Sequence, residues 1–410
     1  MQNILVYLIF ILTYVLIASR RLSLLPIGRP AGALFGATLM VAAGALTPEQ
    51  SYQAIDHNTI LLLFSMMILS IYLERAGFFV LTARKMGKLC TTPWKMLMAV
   101  VLISGFLSAF LMNDTICIFM TPIVVSICRT YGLPFGPFLI ALATSANIGS
   151  AASLVGNPQN MIIGSLSGFS FGRFLFFAAP PALVGLVINI ALLRIIYRKE
   201  IPAAFASLPD PEENGNGNGK MRLALATLLC VIGGFFAGFH LAYTSLAGVM
   251  FLIIADREEP SEIFARIDWS ILVFFCCLFI VVQGLNHTGI VEKAWTASES
   301  WLRFSRPAGL FFFTAIMAAG SNIVSNVPMV MLTGPLIGNL GPAEAGWVLL
   351  AFITTVAGNL TLIGSVANII VAEGAKKYYT LNFFEYLRFG LISTIAVLVV
   401  GVGLIWLMMI

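Results

Sequence analysis

Four short polar stretches interrupt long apolar runs in this sequence, and they carry the side chains best suited to bind a small solute. Two of them, Asn113-Asp114-Thr115 and Ser325-Asn326, each stand in the middle of an apolar run. The other two, Gly156 to Asn160 and Gly364 to Asn368, combine amides or hydroxyls with residues that unwind a helix. An unwound helix offers free N–H groups to an anion and free carbonyls to a cation.

Asp114 is the most informative of these residues, because it is the one acid expected deep within either apolar run. A carboxylate at that depth could exchange a proton, bind sodium, or only accept hydrogen bonds from unwound backbone; intramembrane acids are functional candidates by default. The position matched to it in the second run is the neutral Val327. We expect no Lys or Arg near these residues, so an anion would rest on helix dipoles and amide donors. That favours a singly charged or neutral solute over citrate.

The composition shows what kind of elements must position these groups. Of the 410 residues, 59% are hydrophobic and 10% are charged, whereas soluble domains have about 25% charged residues. The sequence therefore predicts an all-α polytopic membrane protein, with the lipid bilayer as its surroundings. Apolar runs of spanning length lie at about 4–18, 31–46, 58–74, 135–165, 173–196, 221–238, 240–255, 269–290, 343–373 and 384–409.

Two internal repeats are predicted from an ordered series of matching residues. Asp56, Gly77, Asn113, Pro122, Gly156 and Asn160 recur in the same order as Asp268, Gly289, Asn326, Pro335, Gly364 and Asn368. The predicted organisation is a first transmembrane helix at 1–22, repeat 1 at 23–198, a polar linker at 199–220 and repeat 2 at 221–410. Repeats of this kind are common in secondary transporters.

Each repeat is expected to contain a re-entrant helical hairpin, at 93–130 and at 307–340. The runs before and after the polar tips are shorter than the roughly 20 residues of a comfortable span. Polar backbone at mid-membrane depth is tolerated where it is buried in protein. The alternative is one long helix kinked at Pro122 or Pro335. Each hairpin is followed by a broken helix, at 135–165 and at 343–373.

The basic residues predict the orientation of these elements. With the first residue outside and each hairpin entering and leaving by one face, 19 of the 23 Lys and Arg residues lie inside. Only Arg173, Lys293, Arg303 and Arg306 lie outside. This predicted orientation places both termini outside and the linker inside, and the two repeats are then inverted relative to each other.

The four polar stretches and their flanks resemble the ion transporter superfamily. The resemblance lies in MNDTICIFMTPIVV, SLVGNPQNMIIGS, SNIVSNVPMVML and GNLTLIGSVANII. That superfamily includes arsenite-efflux permeases, NhaD-type sodium/proton antiporters, and citrate and dicarboxylate carriers. The sequence is most similar to bacterial members described as anion transporters, which implies a multi-pass protein of the bacterial inner membrane.

The resemblance implies an elevator-type transporter with a dimerisation scaffold and a mobile domain. The first half-site would be Asn113, Asp114, Thr115, Asn157 and Asn160, and the second would be Ser325, Asn326, Ser365 and Asn368. Asp114 would couple transport to a proton or sodium gradient, and the other eight residues would bind substrate. Dicarboxylate carriers usually show Ser-Asn-Thr at both tips, and this sequence departs from that pattern.

The predicted function is secondary-active transport of a small inorganic or organic anion by a homodimer. Three alternatives are arsenite or antimonite efflux, sodium/proton antiport, and an uncoupled anion channel. An enzyme is not expected, because the sequence has no nucleophile with a base and no clustered His and carboxylates. No cofactor, metal or nucleic-acid partner is expected.

Overall fold

A computed structural model describes residues 2–19, 28–205, 218–257 and 259–410, and these ranges form an all-helical fold without a strand. The central part of the polar linker lies outside the described residues. Among the described residues, eight helices are long and apolar enough to span a membrane. The chain is thus a multi-pass membrane protein.

Apolar runs become helices, and the polar stretches fall where helices begin or end. The helices are α1 (Gln2–Ser19), α2 (Arg29–Ala42), α3 (Pro48–Ala54), α4 (His57–Arg75), α5 (Phe78–Leu89), α6 (Pro93–Phe110), α7 (Asn113–Tyr131), α8 (Phe135–Ser150), α9 (Pro158–Ser167), α10 (Phe171–Ile196), α11 (Asn218–Phe236), α12 (Leu241–Asp256), α13 (Ser261–Ala265), α14 (Trp269–Asn286), α15 (Ile290–Ser298), α16 (Pro307–Val324), α17 (Asn326–Thr333), α18 (Ala343–Ala357), α19 (Val366–Ala375) and α20 (Phe383–Met409). Short 3-10 helices follow α15 at Glu299–Trp301 and α17 at Gly334–Asn339.

The helices α8 and α18 form the centre of the protein. All residues of α8 from Gly136 to Ser150 are buried, and α18 is buried along most of its length. The helix α6 packs against α8 so closely that a Cβ atom on Gly149 would overlap the carbonyl oxygen of Gly105. Only glycine can occupy such a crossing, because it brings the two backbones into direct contact.

A second and smaller core lies to one side, between α1, α2 and α14. It is formed by apolar side chains that include Val6, Ile9, Met40 and Val281. The main core does not include these residues. The fold therefore has a central body around α8 and α18 and a peripheral pair of helices, α1 and α2, which pack on one face of α14, while Leu278 and Val282 of α14 belong to the main core.

Helices α6 and α7 form a hairpin whose open ends are adjacent. The Tyr131 hydroxyl at the end of α7 lies 2.7 Å from the position of a Cβ atom on Gly87, shortly before α6 begins. In the second half, the Phe304 N–H before α16 donates to the Leu340 carbonyl after the 3-10 helix, at 3.1 Å. Whether either hairpin is re-entrant stays a prediction.

The arms of the first hairpin stay just under the roughly 20 residues of a comfortable span, but they are closer to that length than the apolar runs alone indicate. Helix α6 has 18 residues and α7 has 19, and both are candidate spans. The difference arises because α7 includes the polar residues from Asn113 onward, and because Tyr131 extends it beyond the apolar run. In the second half, the return arm is shorter: α17 has 8 residues and the 3-10 helix has 6. The length argument therefore applies more strongly to the second hairpin.

Ion pairs join the ends of helices that the sequence places on the same side of the membrane. Arg266 contacts Glu74 at 2.7 Å, and Lys220 contacts Asp256 at 3.0 Å, at ends predicted to lie inside. Arg173 contacts Glu344 at 2.7 Å, at ends predicted to lie outside. These contacts are compatible with the predicted topology.

Candidate functional site

The tip of the first hairpin is fixed against the break in the helix that follows it. The Asn113 N–H donates to the Gly156 carbonyl at 2.9 Å, and the Asn113 Nδ2 donates to Asn147 Oδ1 at 2.9 Å. The Asn113 Oδ1 accepts from the Asp114 N–H at 2.9 Å. Both the nitrogen and the oxygen of the Asn113 side-chain amide are therefore hydrogen-bonded within the protein.

The chain leaves helical conformation between Ser150 and Pro158, and again between Ala357 and Val366. These two segments are called the first and second break. The Asn157 Oδ1 caps α9 by accepting from the Asn160 N–H at 2.9 Å. Ser365 occupies the same place before α19, without a side-chain cap. Each break thus places a helix N-terminus inside the protein, where its dipole favours negative charge.

Both breaks are stabilised by the same hydrogen-bond pattern. The Asn160 Nδ2 donates to the carbonyls of Ser150 and Ser153, at 3.2 and 2.8 Å. The Asn368 Nδ2 donates to the carbonyls of Gly358 and Thr361, at 2.8 and 3.1 Å. Backbone carbonyls that a helix break would leave without donors are bonded in this way. The NH2 groups of Asn160 and Asn368 therefore support the breaks.

Asn147 joins the two halves at the centre of the protein. Its Nδ2 donates to Asn359 Oδ1 at 2.8 Å and to Asn368 Oδ1 at 3.0 Å. Its Oδ1 accepts from Asn113, as above, and from the Ser365 hydroxyl at 3.1 Å. The side chain is 1% exposed, and all four of its hydrogen-bonding positions are filled.

Thr355 makes the corresponding contacts from α18 toward the first break. Its hydroxyl oxygen accepts from the Gln159 Nε2 at 3.1 Å and from the Asn157 Nδ2 at 3.3 Å. The Asn157 Nδ2 also lies 3.0 Å from the Ser150 hydroxyl. Residues of both predicted half-sites, namely Asn113, Asn157, Asn160, Ser365 and Asn368, thus belong to one buried polar network.

The tip of the second hairpin lies over the second break and is less fully bonded than the first. Ser325 is half-buried and has a φ of 77°, in the left-handed region that non-glycine residues rarely adopt. Asn326 is buried, and its Nδ2 lies 3.2 Å from the position of a Cβ atom on Gly358. Within the described residues, the Asn326 Oδ1 has no hydrogen-bond partner. This carbonyl oxygen can accept a hydrogen bond from a solute.

Asp114 and Thr115 are buried in the first turn of α7, each with 6% exposure. Arg29 and Asp268 both act electrostatically on the Asp114 carboxylate. The expectation that no Lys or Arg lies near the site is therefore wrong. The sequence did not indicate this, because Arg29 is the first residue of a different helix, α2, and comes near Asp114 only through tertiary packing.

Among the described residues, the unpartnered buried atoms around the network are two amide oxygens, which accept hydrogen bonds, and two hydroxyls, which can donate or accept. In the described part of the chain, the Asn160 Oδ1, the Asn326 Oδ1 and the hydroxyls of Ser108 and Ser321 are buried without a partner. The Asp114 carboxylate is a further acceptor by its chemistry. Such a site suits a solute that donates hydrogen bonds, or a cation.

The structure brings together all the predicted site residues except for Thr115 and Ser325, for which no contact with the network is described. Sequence reasoning missed Asn147, Thr355, Gln159 and Asn359 as site residues. The available signal was an amide or hydroxyl on an apolar helix without a nearby charge, since such a group must find a partner inside the protein. Within the described residues, no group of three or more His, Cys, Asp and Glu side chains could hold a metal ion.

Comparison with known proteins identifies transporters of the same construction. The family model described as citrate transporter matches residues 14–357. The Dictyostelium discoideum protein named as transporter arsB is 32% identical, over 97% of this chain and 91% of its own length. The silicon efflux transporter LSI3 of Oryza sativa subsp. japonica is 30% identical, over 93% of each chain. The crystal structure of the Alcanivorax borkumensis YdaH transporter has a similar fold, with a TM-score of 0.57 and 13% identity, over 85% of this chain and 84% of that one.

Proposed function

We propose that this chain, which belongs to the citrate transporter family and is a membrane transporter, is a secondary-active carrier of a small inorganic or organic anion. Transport would be coupled to a proton or sodium gradient. The predicted ion-coupling residue is Asp114, and the predicted substrate ligands surround the Asn147 network. The observation that carries the proposal is this buried polar network, which lies between two hairpin tips and two helix breaks.

The chemistry of the site supports a small solute with few charges. The breaks supply two helix N-termini, which favour an anion. The free side-chain atoms include the amide oxygens of Asn160 and Asn326, which favour a solute that carries O–H groups or is partly protonated. A tricarboxylate would meet these acceptors with three negative charges, so we do not propose citrate as the substrate.

Arsenite or antimonite efflux is the second candidate function. The names of the arsB and silicon efflux relatives belong to those proteins, but neutral oxyacids with several O–H groups match the acceptors Asn160 Oδ1 and Asn326 Oδ1. Sodium/proton antiport would use the same acceptors to bind a cation. An uncoupled channel would use them without Asp114.

We further propose an elevator movement of the central body relative to a fixed scaffold in a homodimer. Helices α1 and α2 support this division, because their buried apolar residues belong to the small core, whereas α14 contributes Val281 to that core and Leu278 to the main core. Inverted repeats, an inner-membrane location and outward-facing termini are part of the same proposal. Single-cysteine labelling from each side of the membrane would test the orientation, and a monodisperse monomer in nanodiscs would contradict the dimer.

Solute uptake into proteoliposomes tests the function directly. The solutes are arsenite, chloride, phosphate, small carboxylates and sodium, with a pH-sensitive dye inside the vesicles. We expect one solute class to accumulate against its own gradient when a proton or sodium gradient is imposed. Flux that only runs downhill would identify a channel, and sodium-driven proton movement without any other solute would identify an antiporter.

A further inference from the structure

Two of the residues that form hydrogen bonds between the halves, Asn147 and Thr355, occupy matched positions. Asn160 and Asn368, which make the same hydrogen bonds in the two breaks, are 208 residues apart. The same spacing relates Asn157 to Ser365, and it also relates Asn147 to Thr355. The side chains at this last pair of positions differ in chemistry, but both are almost completely buried.

The contacts of this pair are reciprocal. Asn147, from α8 in the first half, bonds to Ser365 and Asn368 at the second break. Thr355, from α18 in the second half, bonds to Asn157 and Gln159 at the first break. Each central helix therefore bonds to the break in the other half. One of the bonded residues in each break, Asn157 or Ser365, immediately precedes the next helix, α9 or α19.

We propose that Asn147 and Thr355 are positioning residues that hold the two half-sites together by these reciprocal hydrogen bonds. The inference rests on the proposed transport function and adds two residues to it. Because each break is bonded to the opposite half, neither half-site can shift without breaking hydrogen bonds to the other. The complete substrate site then moves as one unit.

The crossing bonds also set which hydrogen-bonding role the site residues present. The Ser365 hydroxyl donates its one hydrogen to Asn147, so only its lone pairs remain for a solute. The Asn157 Nδ2 is directed at Thr355 and Ser150. Positioning by Asn147 thus makes Ser365 an acceptor, in agreement with the unpartnered acceptors nearby.

Amide hydrogen exchange in the purified protein tests these hydrogen bonds between the halves without any assumption about the solute. In Thr355→Val, a change of similar shape that removes the hydroxyl oxygen, exchange should become faster at residues 151–157, in the opposite half. Thr354→Val is the matched control, because the Thr354 hydroxyl bonds only to Leu350 and Ala351 in its own helix. The control should leave exchange at 151–157 at the wild-type rate.

Substrate affinity in proteoliposomes is the second readout. Thr355→Val should raise the KM for the transported solute by about tenfold, as expected from losing one or two buried hydrogen bonds. Thr355→Ser keeps the oxygen and should restore most of that affinity. Asn147→Leu should accelerate amide exchange at residues 358–365. If that variant does not fold, Thr355→Val and Thr355→Ser alone test the positioning role.

The outcomes separate this inference from the function itself. If exchange at 151–157 does not respond to Thr355→Val, or responds equally to Thr354→Val, the positioning role is overturned even when the wild type transports solute. If the crossing effect is present but no solute is transported, the positioning contacts are supported and the proposed function fails. Equal rises in KM for Thr354→Val and Thr355→Val would indicate general loosening and would also overturn the inference.

Discussion

The two helix breaks share the bonds that Asn160 and Asn368 donate to backbone carbonyls, but they differ in their surroundings. In the first break, every residue from Ala151 to Asn157 is buried. In the second, Leu360, Thr361, Leu362 and Ile363 are partly exposed. One hydrogen-bond pattern thus stabilises both a closed segment and a more open one. The exposure of a break is therefore set by the helices packed around it, and its backbone geometry is set by its own Asn.

The hairpin tips differ in the same direction. Both polar atoms of the Asn113 side chain are bonded within the protein, whereas the Oδ1 of the matched Asn326 has no partner among the described residues. The first tip carries a buried carboxylate, and the second carries Val327 at the matched position. We infer that the first half supplies rigidity and a charge, and that the second half supplies free hydrogen-bonding capacity.

The largest effect is expected from Asp114→Asn, which removes the charge that distinguishes the halves. This change nearly preserves the shape of the side chain and keeps one acceptor. It should abolish gradient-driven accumulation, while exchange of solute at equilibrium survives. Concentrative uptake in proteoliposomes between about pH 5.5 and 8.5 measures this, because protonation of a functional carboxylate makes transport depend on pH.

Asp56→Asn serves as the control for Asp114→Asn, since the Asp56 carboxylate caps α4 by accepting from the Thr59 N–H. It should transport with the wild-type pH profile. If Asp114→Asn accumulates solute as the wild type does, with the same pH profile, Asp114 is structural and the halves do not differ in coupling.

The next largest effect should separate Asn113 from Asn326. Asn113→Leu leaves the Asn147 Oδ1 with one donor fewer and the Asp114 N–H without its acceptor, so it should cost about 2–4 kcal/mol of unfolding free energy. Asn326→Leu should cost less than about 1 kcal/mol but lower the transport rate by more than about tenfold. Unfolding in mixed micelles and uptake in proteoliposomes measure the two quantities.

The inferred difference between the tips would be contradicted if both variants lowered the free energy of unfolding by the same amount. It would also be contradicted if Asn326→Leu transported normally, since the free capacity of the second tip would then have no function.

A smaller effect is expected at Asn160 and Asn368, whose amides support the two breaks, and it should be somewhat larger at Asn368, because its Oδ1 also accepts from the Asn147 Nδ2. Asn160→Leu and Asn368→Leu each leave two carbonyls without a donor, and each should lower the free energy of unfolding by about 1–3 kcal/mol. Unfolding of the two variants under identical conditions tests the shared pattern. A difference of more than about 2 kcal/mol between them would show that surroundings outweigh the capping bonds.

The smallest effect is expected from Arg173→Ala. Arg173 and Glu344 connect the halves at the surface, with side-chain exposures of 60% and 44%. Exposed ion pairs typically contribute about 0–1 kcal/mol. Stability and uptake should therefore stay close to the wild-type values, in contrast to the buried crossing bonds of Thr355. A marked loss of transport would show that the halves are joined mainly at the surface.

Most of the helices could be predicted from the sequence, because the length of an apolar run decides whether it can span a bilayer. The breaks could also be predicted, because Gly156, Pro158 and Gly364 disfavour a continuous helix. The residue at which the first break begins could not be predicted. Helix α8 ends at Ser150, well before Gly156, because the Asn160 Nδ2 donates to backbone carbonyls that lie upstream. The polar groups at the breaks could be identified, but not their partners.

Asn147 shows why the partners could not be predicted. It lies on an apolar helix, and its hydrogen bond to Asn359 joins residues 212 positions apart. No local pattern encodes such a contact, because it depends on how α8 and α18 pack. The same holds for Arg29, whose interaction with Asp114 is set by the position of α2.

The contact between Gly105 and Gly149 has a consequence for tolerance to substitution. The strictest position in a scan of all single substitutions should be this crossing of α6 and α8, even though neither glycine can bind a solute. Alanine, normally the mildest replacement in a helix, would push the backbones apart at Gly149 and displace Asn113 from Gly156. Loss of transport on substitution there would report lost geometry, and such a scan should not be interpreted as a map of solute contacts.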